Sequence, residues 1–265
     1  MADATGFHLK GSAPERYEHY VAPIMAPFVT ALVDAADLYP GATVLDLACG
    51  TGFAARAAAA QAGPTGRVAG ADANEAMLKV AVDRHPRLYP DIEFTPAPAD
   101  DLPYPDAAFD AVLCQQGAQF FPDLDAALRE TARVLRPGGR FAATVWSNLE
   151  ASPYFVAQLG AVEQYGDPET AAVFRAAFHS ADRLIAALDR AGFRQPTRRD
   201  LTFPVTLPPL QDYVRGHLSA IPWGQTITDT AGEEALTRAA DTIRAALPAD
   251  TNTFPFTATL VTAHR

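Results

Sequence analysis

The chain has 265 residues, 49% of them hydrophobic, with 31 acidic against 21 basic side chains and a formal charge of −10. That length can bury one substantial core, and the acidic balance excludes the basic footprint that a nucleic-acid or anionic-membrane partner needs. Two cysteines, Cys49 and Cys114, are too few for a disulfide framework or a zinc site and read as small buried residues. No apolar run reaches the roughly 18 residues that a membrane span needs, and Met1–Ser12 has no apolar signal core, so a cytoplasmic setting is expected.

In chain order, residues 1–39 read as N-terminal helices, with Ile24, Phe28, Leu32 and Val33 at helical spacing. Tyr39-Pro40-Gly41 turns into a first strand over Val44–Leu47, and a helix follows from Phe53 to Gln61. Strand two is Arg67–Ala71, with a helix over Glu75–Asp83; strand three is Ile92–Thr95. Strand four, Phe109–Gln115, is nearly all apolar, as a strand buried on both faces must be. A helix over Leu124–Leu135 stops at a Pro137-Gly138-Gly139 turn, and strand five is Arg140–Trp146. Ser180 is placed to cap a helix over Ala181–Ala191 that ends at Gly192. Strand six is Thr197–Val205 and strand seven Phe254–Thr262. Between them, Leu207–Thr251 is far longer than an ordinary connection and carries helical patterns at Leu210–Leu218 and Glu233–Leu247. The alternation of strands and helices predicts an α/β fold with a Rossmann-like, doubly wound, mostly parallel sheet. A single domain, 1–265, is expected: helices to 39, a ligand-binding core over 40–147, helices and the sixth strand over 148–206, a helical cap insertion over 207–251, and the last strand over 252–265.

The run Val44-Leu45-Asp46-Leu47-Ala48-Cys49-Gly50-Thr51-Gly52 carries the most information. It reads as a buried strand that ends beside an acid and opens into a glycine turn and a helix. Glycines lacking Cβ let the backbone pass close to a ligand. Gly50-x-Gly52-x-x-Ala55, with Asp72 placed 20 residues beyond Gly52, also satisfies a dinucleotide fingerprint. Asp46 discriminates between the two ligands. It would repel a diphosphate seated on the helix N-terminus, and it suits a ligand with a cationic end. S-adenosylmethionine (SAM) carries an ammonium and a sulfonium.

Asp46–Gly52 resembles the first motif of the class I SAM-dependent methyltransferases, in the form found in the ubiquinone/menaquinone-biosynthesis type. Four further matches follow in order: Gly70-Ala71-Asp72-Ala73-Asn74-Glu75-Ala76-Met77-Leu78, Asp101-Leu102-Pro103-Tyr104-Pro105-Asp106, Phe109-Asp110-Ala111-Val112 and Leu135-Arg136-Pro137-Gly138-Gly139. The resemblance implies a seven-stranded sheet in the order 3-2-1-4-5-7-6, with the last strand antiparallel. It also implies roles for individual residues. Asp46 engages the methionine ammonium of SAM, and Ala48, Gly50 and Thr51 offer backbone groups. Asp72 accepts from both ribose hydroxyls, and Ala73 and Met77 pack on the adenine. Where relatives often carry Gly-Asp-Ala, this chain has Ala97-Pro98-Ala99, so Ala99 with Asp100 is expected to meet the adenine amino group. Gln115 lies beside the methionine part, and Tyr17 over the cofactor.

Gln116, Gln119 and Phe120, after strand four, are candidates for the acceptor site, together with His217 and Trp223 of the insertion. Trp146, Phe155, Phe178 and Trp223 make an apolar pocket for a small hydrophobic or aromatic acceptor plausible. His19, His179, His217, Glu18 and Tyr20 are the candidate bases, and no catalytic residue is assigned among them; no metal is expected. Methyl transfer to a small-molecule metabolite is the function expected. A SAM-binding fold turned to pericyclic or decarboxylative chemistry and a nicotinamide-dependent oxidoreductase stand as alternatives. Acceptor identity and oligomeric state are not legible.

Overall fold

The computed structural model describes residues 9–84 and 91–265; Met1–His8, most of the segment expected to lack an apolar leader, lie outside the described residues. One sheet contains β1 (Thr43–Leu47), β2 (Arg67–Asp72), β3 (Ile92–Pro96), β4 (Phe109–Gln115), β5 (Leu135–Trp146), β6 (Arg194–Thr206) and β7 (Thr253–His264). Its order is β3-β2-β1-β4-β5-β7-β6. β1 pairs in parallel with β2 on one side and β4 on the other. β7 runs antiparallel to both β5 and β6. This is the order that the resemblance implied.

The helices are α1 (Ala13–Tyr20), α2 (Ala22–Ala35), α3 (Phe53–Ala62), α4 (Glu75–Arg84), α5 (Leu124–Val134), α6 (Pro153–Tyr165), α7 (Pro168–Ala177), α8 (Ala181–Arg190), α9 (Leu210–Ser219) and α10 (Pro222–Ala246). Strand alternation splits the core into two layers. Val44 and Leu113 pack with α2 and α3, in a layer that continues into α6, α9 and α10. Leu45, Leu47, Val112 and Cys114 pack on the opposite face with α5 and α8. Among the described residues, no helix is long and apolar enough to cross a membrane.

Four local expectations change. The Pro137-Gly138-Gly139 turn is a loop-out at the start of β5: Phe109 pairs with Leu135 and Ala111 with Arg140, leaving four residues opposite Asp110. Ser180 does not cap α8 with its side chain; the hydroxyl donates to the Ala177 carbonyl, 3.0 Å away. The insertion holds more helix than expected, because α10 starts at Pro222 and changes direction at Gly232, whose φ is 81°. Helices α6 and α7 fill the interval before α8, where no individual element was assigned.

Helix α1 spans two parts of the molecule. The Glu18 carboxylate receives the Thr51 hydroxyl and pairs with Arg56 at 2.6 Å, and Arg56 also donates to the Thr51 carbonyl at 2.7 Å. On the side of the insertion, Arg16 donates to the Ser219 carbonyl at 3.0 Å and the Tyr213 hydroxyl to the Tyr20 carbonyl at 2.5 Å. Gly216 lets the helices approach, since a Cβ there would overlap the Tyr20 ring.

Gly52 is required twice over. Its φ is 78°, and a Cβ would lie 2.8 Å from the Phe94 ring. Gly52→Ala is expected to lower stability by about 2–4 kcal/mol, from left-handed backbone strain plus overpacking. Urea unfolding monitored by circular dichroism measures it.

Candidate active site

The carboxyl ends of β1, β2 and β4 lie side by side because β1 is flanked on both sides in parallel register. This is where the strand order reverses across the sheet, the place where open α/β sheets leave a crevice. The backbone there is unusual. Ala48 and Gln116, at the ends of β1 and β4, have φ of 56° and 55°, and Gly50 has 54°. Strained non-glycine residues concentrate at functional sites.

A cavity of about 340 Å³ opens at this crevice and extends beneath α9 and α10. It brings together Tyr17, Ala48, Gly50, Asp72, Ala73, Met77, Ala99, Asp100 and Gln115, nine of the eleven residues expected around a cofactor. The remaining two, Asp46 and Thr51, line a smaller adjoining recess of about 30 Å³ that shares Tyr17, Ala48, Gly50 and Gln115 with the main cavity. Thr51 already spends its hydroxyl on Glu18, so its side chain locks α1 to the glycine turn.

Asp72 holds the turn. Its carboxylate accepts from Gly50 N–H and Asn74 N–H, both at 2.8 Å. The carboxylate is thereby fixed at the end of β2, on the cavity wall. Met77 is buried with Leu9 and Ala13, and Tyr17 packs against the three. Burial, with the negative charges of Asp72 and Glu18, pushes the Tyr17 phenol well above its ordinary range, so it stays protonated.

Asp46 is fully buried, and neither carboxylate oxygen has a hydrogen-bond partner of good geometry among the described residues. Burial pushes its pKa up to about 7. The Asp72 charge adds to the rise, while the Ala55 N–H in the first turn of α3 and Arg56 offset it in part. An unpaired acid this deep is costly in the protein alone and ready to meet a cation. The residues therefore fit the cationic end and the ribose of SAM. They fit a dinucleotide diphosphate poorly, because it would face Asp46 across the recess.

The other half of the cavity is aromatic. Trp146 and Phe178 lie nearly parallel with ring centroids 6.3 Å apart, and Phe174 meets Trp223 edge-on at 5.2 Å. Of the acceptor candidates, Gln116, Phe120, His217 and Trp223 line this space. Gln119 does not: its Oε1 accepts from the Trp146 N–H at 3.0 Å, which anchors the end of β5. Among the candidate bases only His217 reaches the cavity. Its Nδ1 lies 3.0 Å from the Tyr154 hydroxyl, and burial pulls its pKa down to about 3, so the ring is uncharged. Glu18 is occupied by Thr51 and Arg56, and His19 and His179 are exposed. Gln158 of α6, 1% exposed and on the cavity wall, was missed. A lone amide on an apolar helix carries no signal in sequence.

Fold, crevice and paired strand-end acids together give the arrangement that the sequence resemblance implied. Residues 45–143 match the family model described as a methyltransferase domain. A ubiquinone/menaquinone biosynthesis C-methyltransferase of Hahella chejuensis is 46% identical over 112 residues, 41% of this chain and 44% of that protein. The chain spans less than half the length of the curated relatives it matches. Among solved structures, the YcgJ protein of Bacillus subtilis is similar with a TM-score of 0.60 and 22% identity, over 91% of this chain and 98% of its own. The [4+2]-cyclase SpnF is similar with a TM-score of 0.56 and 23% identity, over 90% and 80%. These two likenesses concern the fold.

The raised pKa of Asp46 makes stability depend on pH. Between the ordinary carboxyl value and about 7 the folded chain holds a proton that the unfolded chain has released, so stability falls as pH rises through that window. Asp46→Asn is expected to raise the unfolding temperature of the unliganded protein at pH 8, by an amount that shrinks as pH is lowered toward 4. Thermal scans of both proteins across that range check it.

Proposed function

We propose that this chain transfers a methyl group from SAM to a small, apolar or aromatic acceptor. The observation that carries the reading is Asp46, a buried carboxyl group with no hydrogen-bond partner of good geometry among the described residues, set one strand away from Asp72 at the crevice. In this reading Asp46 and Gln115 hold the methionine end and Asp72 the ribose, whose two vicinal donors match two carboxylate oxygens. Ala73, Met77, Ala99 and Asp100 surround the adenine, and Tyr17 covers the cofactor from α1. When bound, SAM supplies an electrophilic methyl group on a sulfonium.

The chain's own contribution is positioning and exclusion of water. The aromatic half aligns the acceptor, and alignment of this kind lowers a barrier by several kcal/mol, up to ~7–11 kcal/mol for well-oriented groups. The insertion, residues 207–251, serves as the cover of the acceptor space, since His217, Ile221 and Trp223 all face it. His217 is a weak base at this depth and orients the acceptor by hydrogen bonding, so the reaction suits an acceptor atom that is nucleophilic without proton removal. The cytoplasm is the proposed setting, supported by two buried, unpaired thiols, Cys49 and Cys114.

Calorimetric titration with S-adenosylhomocysteine and, separately, with NADH tests the reading. Binding of the first, without heat from the second, is expected. Asp72→Ala should weaken that binding about 10- to 100-fold, the loss of charge-assisted hydrogen bonds. NADH binding alone would turn the assignment to an oxidoreductase. An acceptor product without the added mass of a methylene would turn it to a non-transferring enzyme.

A further inference from the structure

The acceptor half of the cavity ends against α9, and the side chain that α9 brings to its wall is His217. The ring is held from two sides. Tyr213, one turn earlier on α9, lies nearly parallel to it with ring centroids 5.4 Å apart, and Tyr154 of α6 meets it edge-on at 5.4 Å. Both tyrosines are buried, Tyr154 completely. The Tyr213 hydroxyl is committed elsewhere, to the Tyr20 carbonyl at 2.5 Å. The Tyr154 hydroxyl has one partner among the described residues, His217 Nδ1 at 3.0 Å. The Tyr154 ring is itself wedged among Phe155, Phe254 and Phe256, which fixes where its hydroxyl points.

The position of one proton decides the chemistry of the pair. Burial keeps the Tyr154 phenol protonated and the His217 imidazole uncharged. Between two such groups, either the hydroxyl donates to Nδ1 or Nδ1–H donates to the phenolic oxygen. The second arrangement leaves a sealed hydroxyl hydrogen with no acceptor among the described residues, which is destabilising. The first satisfies both atoms and puts the ring proton on Nε2. That nitrogen has no hydrogen-bond partner among the described residues. Amide atoms of Gln116 and Gln158 are unpartnered as well, but they are sealed inside the protein, and the free nitrogen of His217 is not. It is the polar atom that the pair leaves for a ligand.

Resting on the methyl-transfer reading of the same cavity, we propose that Tyr154 is a positioning residue for the acceptor: its hydroxyl locks His217 in the Nε2–H form, so the ring offers a donor and no lone pair. The acceptor then turns a lone-pair atom, such as a carbonyl oxygen, toward α9. His217 takes no proton from it.

The test has two arms, both on the full chain saturated with S-adenosylhomocysteine. In nitrogen NMR spectra of histidine-labelled protein, the ring signals lost in His217→Gln are those of His217; Nε2 should carry the proton and Nδ1 should not. In the second arm, the fluorescence of Trp146 and Trp223 on the cavity wall follows titration with cyclohexanone and with methylenecyclohexane, which has the same shape without the oxygen. The ketone should bind about five- to tenfold more tightly, the worth of one hydrogen bond. Tyr154→Phe should cut that preference to about twofold or less and leave methylenecyclohexane binding unchanged, a split that a merely structural role would not produce. A proton on Nδ1 in the wild type, equal binding of the two probes, or binding of neither would overturn the proposal. So would a Tyr154→Phe protein that keeps the full preference or loses both probes alike. Should that variant fail to fold, the wild-type spectrum and the wild-type probe ratio still decide. Failure of S-adenosylhomocysteine to bind counts against the cofactor reading instead, and both arms on the protein alone still judge the tyrosine–histidine pair.

Discussion

Parallel pairing of β1 with β2 on one side and β4 on the other is the constraint from which the rest of the site follows. It aligns Asp46 with Gly70 and Leu113 in register and so brings the three carboxyl ends to one level. Helix connections leave those ends in opposite directions across the sheet, and the space between them becomes the crevice. Asp72 then closes the glycine turn through two backbone hydrogen bonds, and α3 begins where the turn ends. Asp46, carried by the central strand, has nowhere to go but inward.

The crevice is the part of the molecule where folding and binding pull apart. The two core layers are apolar and well filled, whereas the ligand wall keeps an orphaned carboxylate, orphaned amides and two left-handed non-glycine residues. Each of these is unfavourable in the protein alone, and each belongs to a residue on the wall of the cavity or its recess. A chain of this size stands only about 5–15 kcal/mol above unfolding, so such concessions must be few and offset by packing elsewhere.

The core was legible because its signals are local. Hydrophobic runs mark β1, β2 and β4, glycines mark the turn, and Asp72 ends a strand in plain view. The residues of the cofactor half were named through the family resemblance that those local signals carry. The acceptor half was less legible. Trp146, Phe155 and Phe178 were expected in an apolar pocket, but Gln158 was not seen, because nothing in α6 distinguishes an inward amide from an outward one. Gln119 was misplaced for the same reason: β4 ends in one amide and two more follow it, and only folding decides which turns to the cavity and which ties down Trp146. Ser180 failed as a cap because its hydroxyl found the Ala177 carbonyl first, a competition that sequence spacing does not resolve.

Helix α1 grips the glycine turn through Glu18 with one face and the insertion through Arg16 and Tyr20 with another. That double attachment couples regions far apart in the chain. The methyltransferase-domain match, residues 45–143, stops short of both α1 and the insertion. A change in the insertion that removes the Ser219 carbonyl or fills the space at Gly216 is felt by α1 through Arg16 and the Tyr20 ring. The N-terminal helix and a segment more than 190 residues downstream are thus held mechanically as one piece, and a disturbance of either reaches the glycine turn through Glu18.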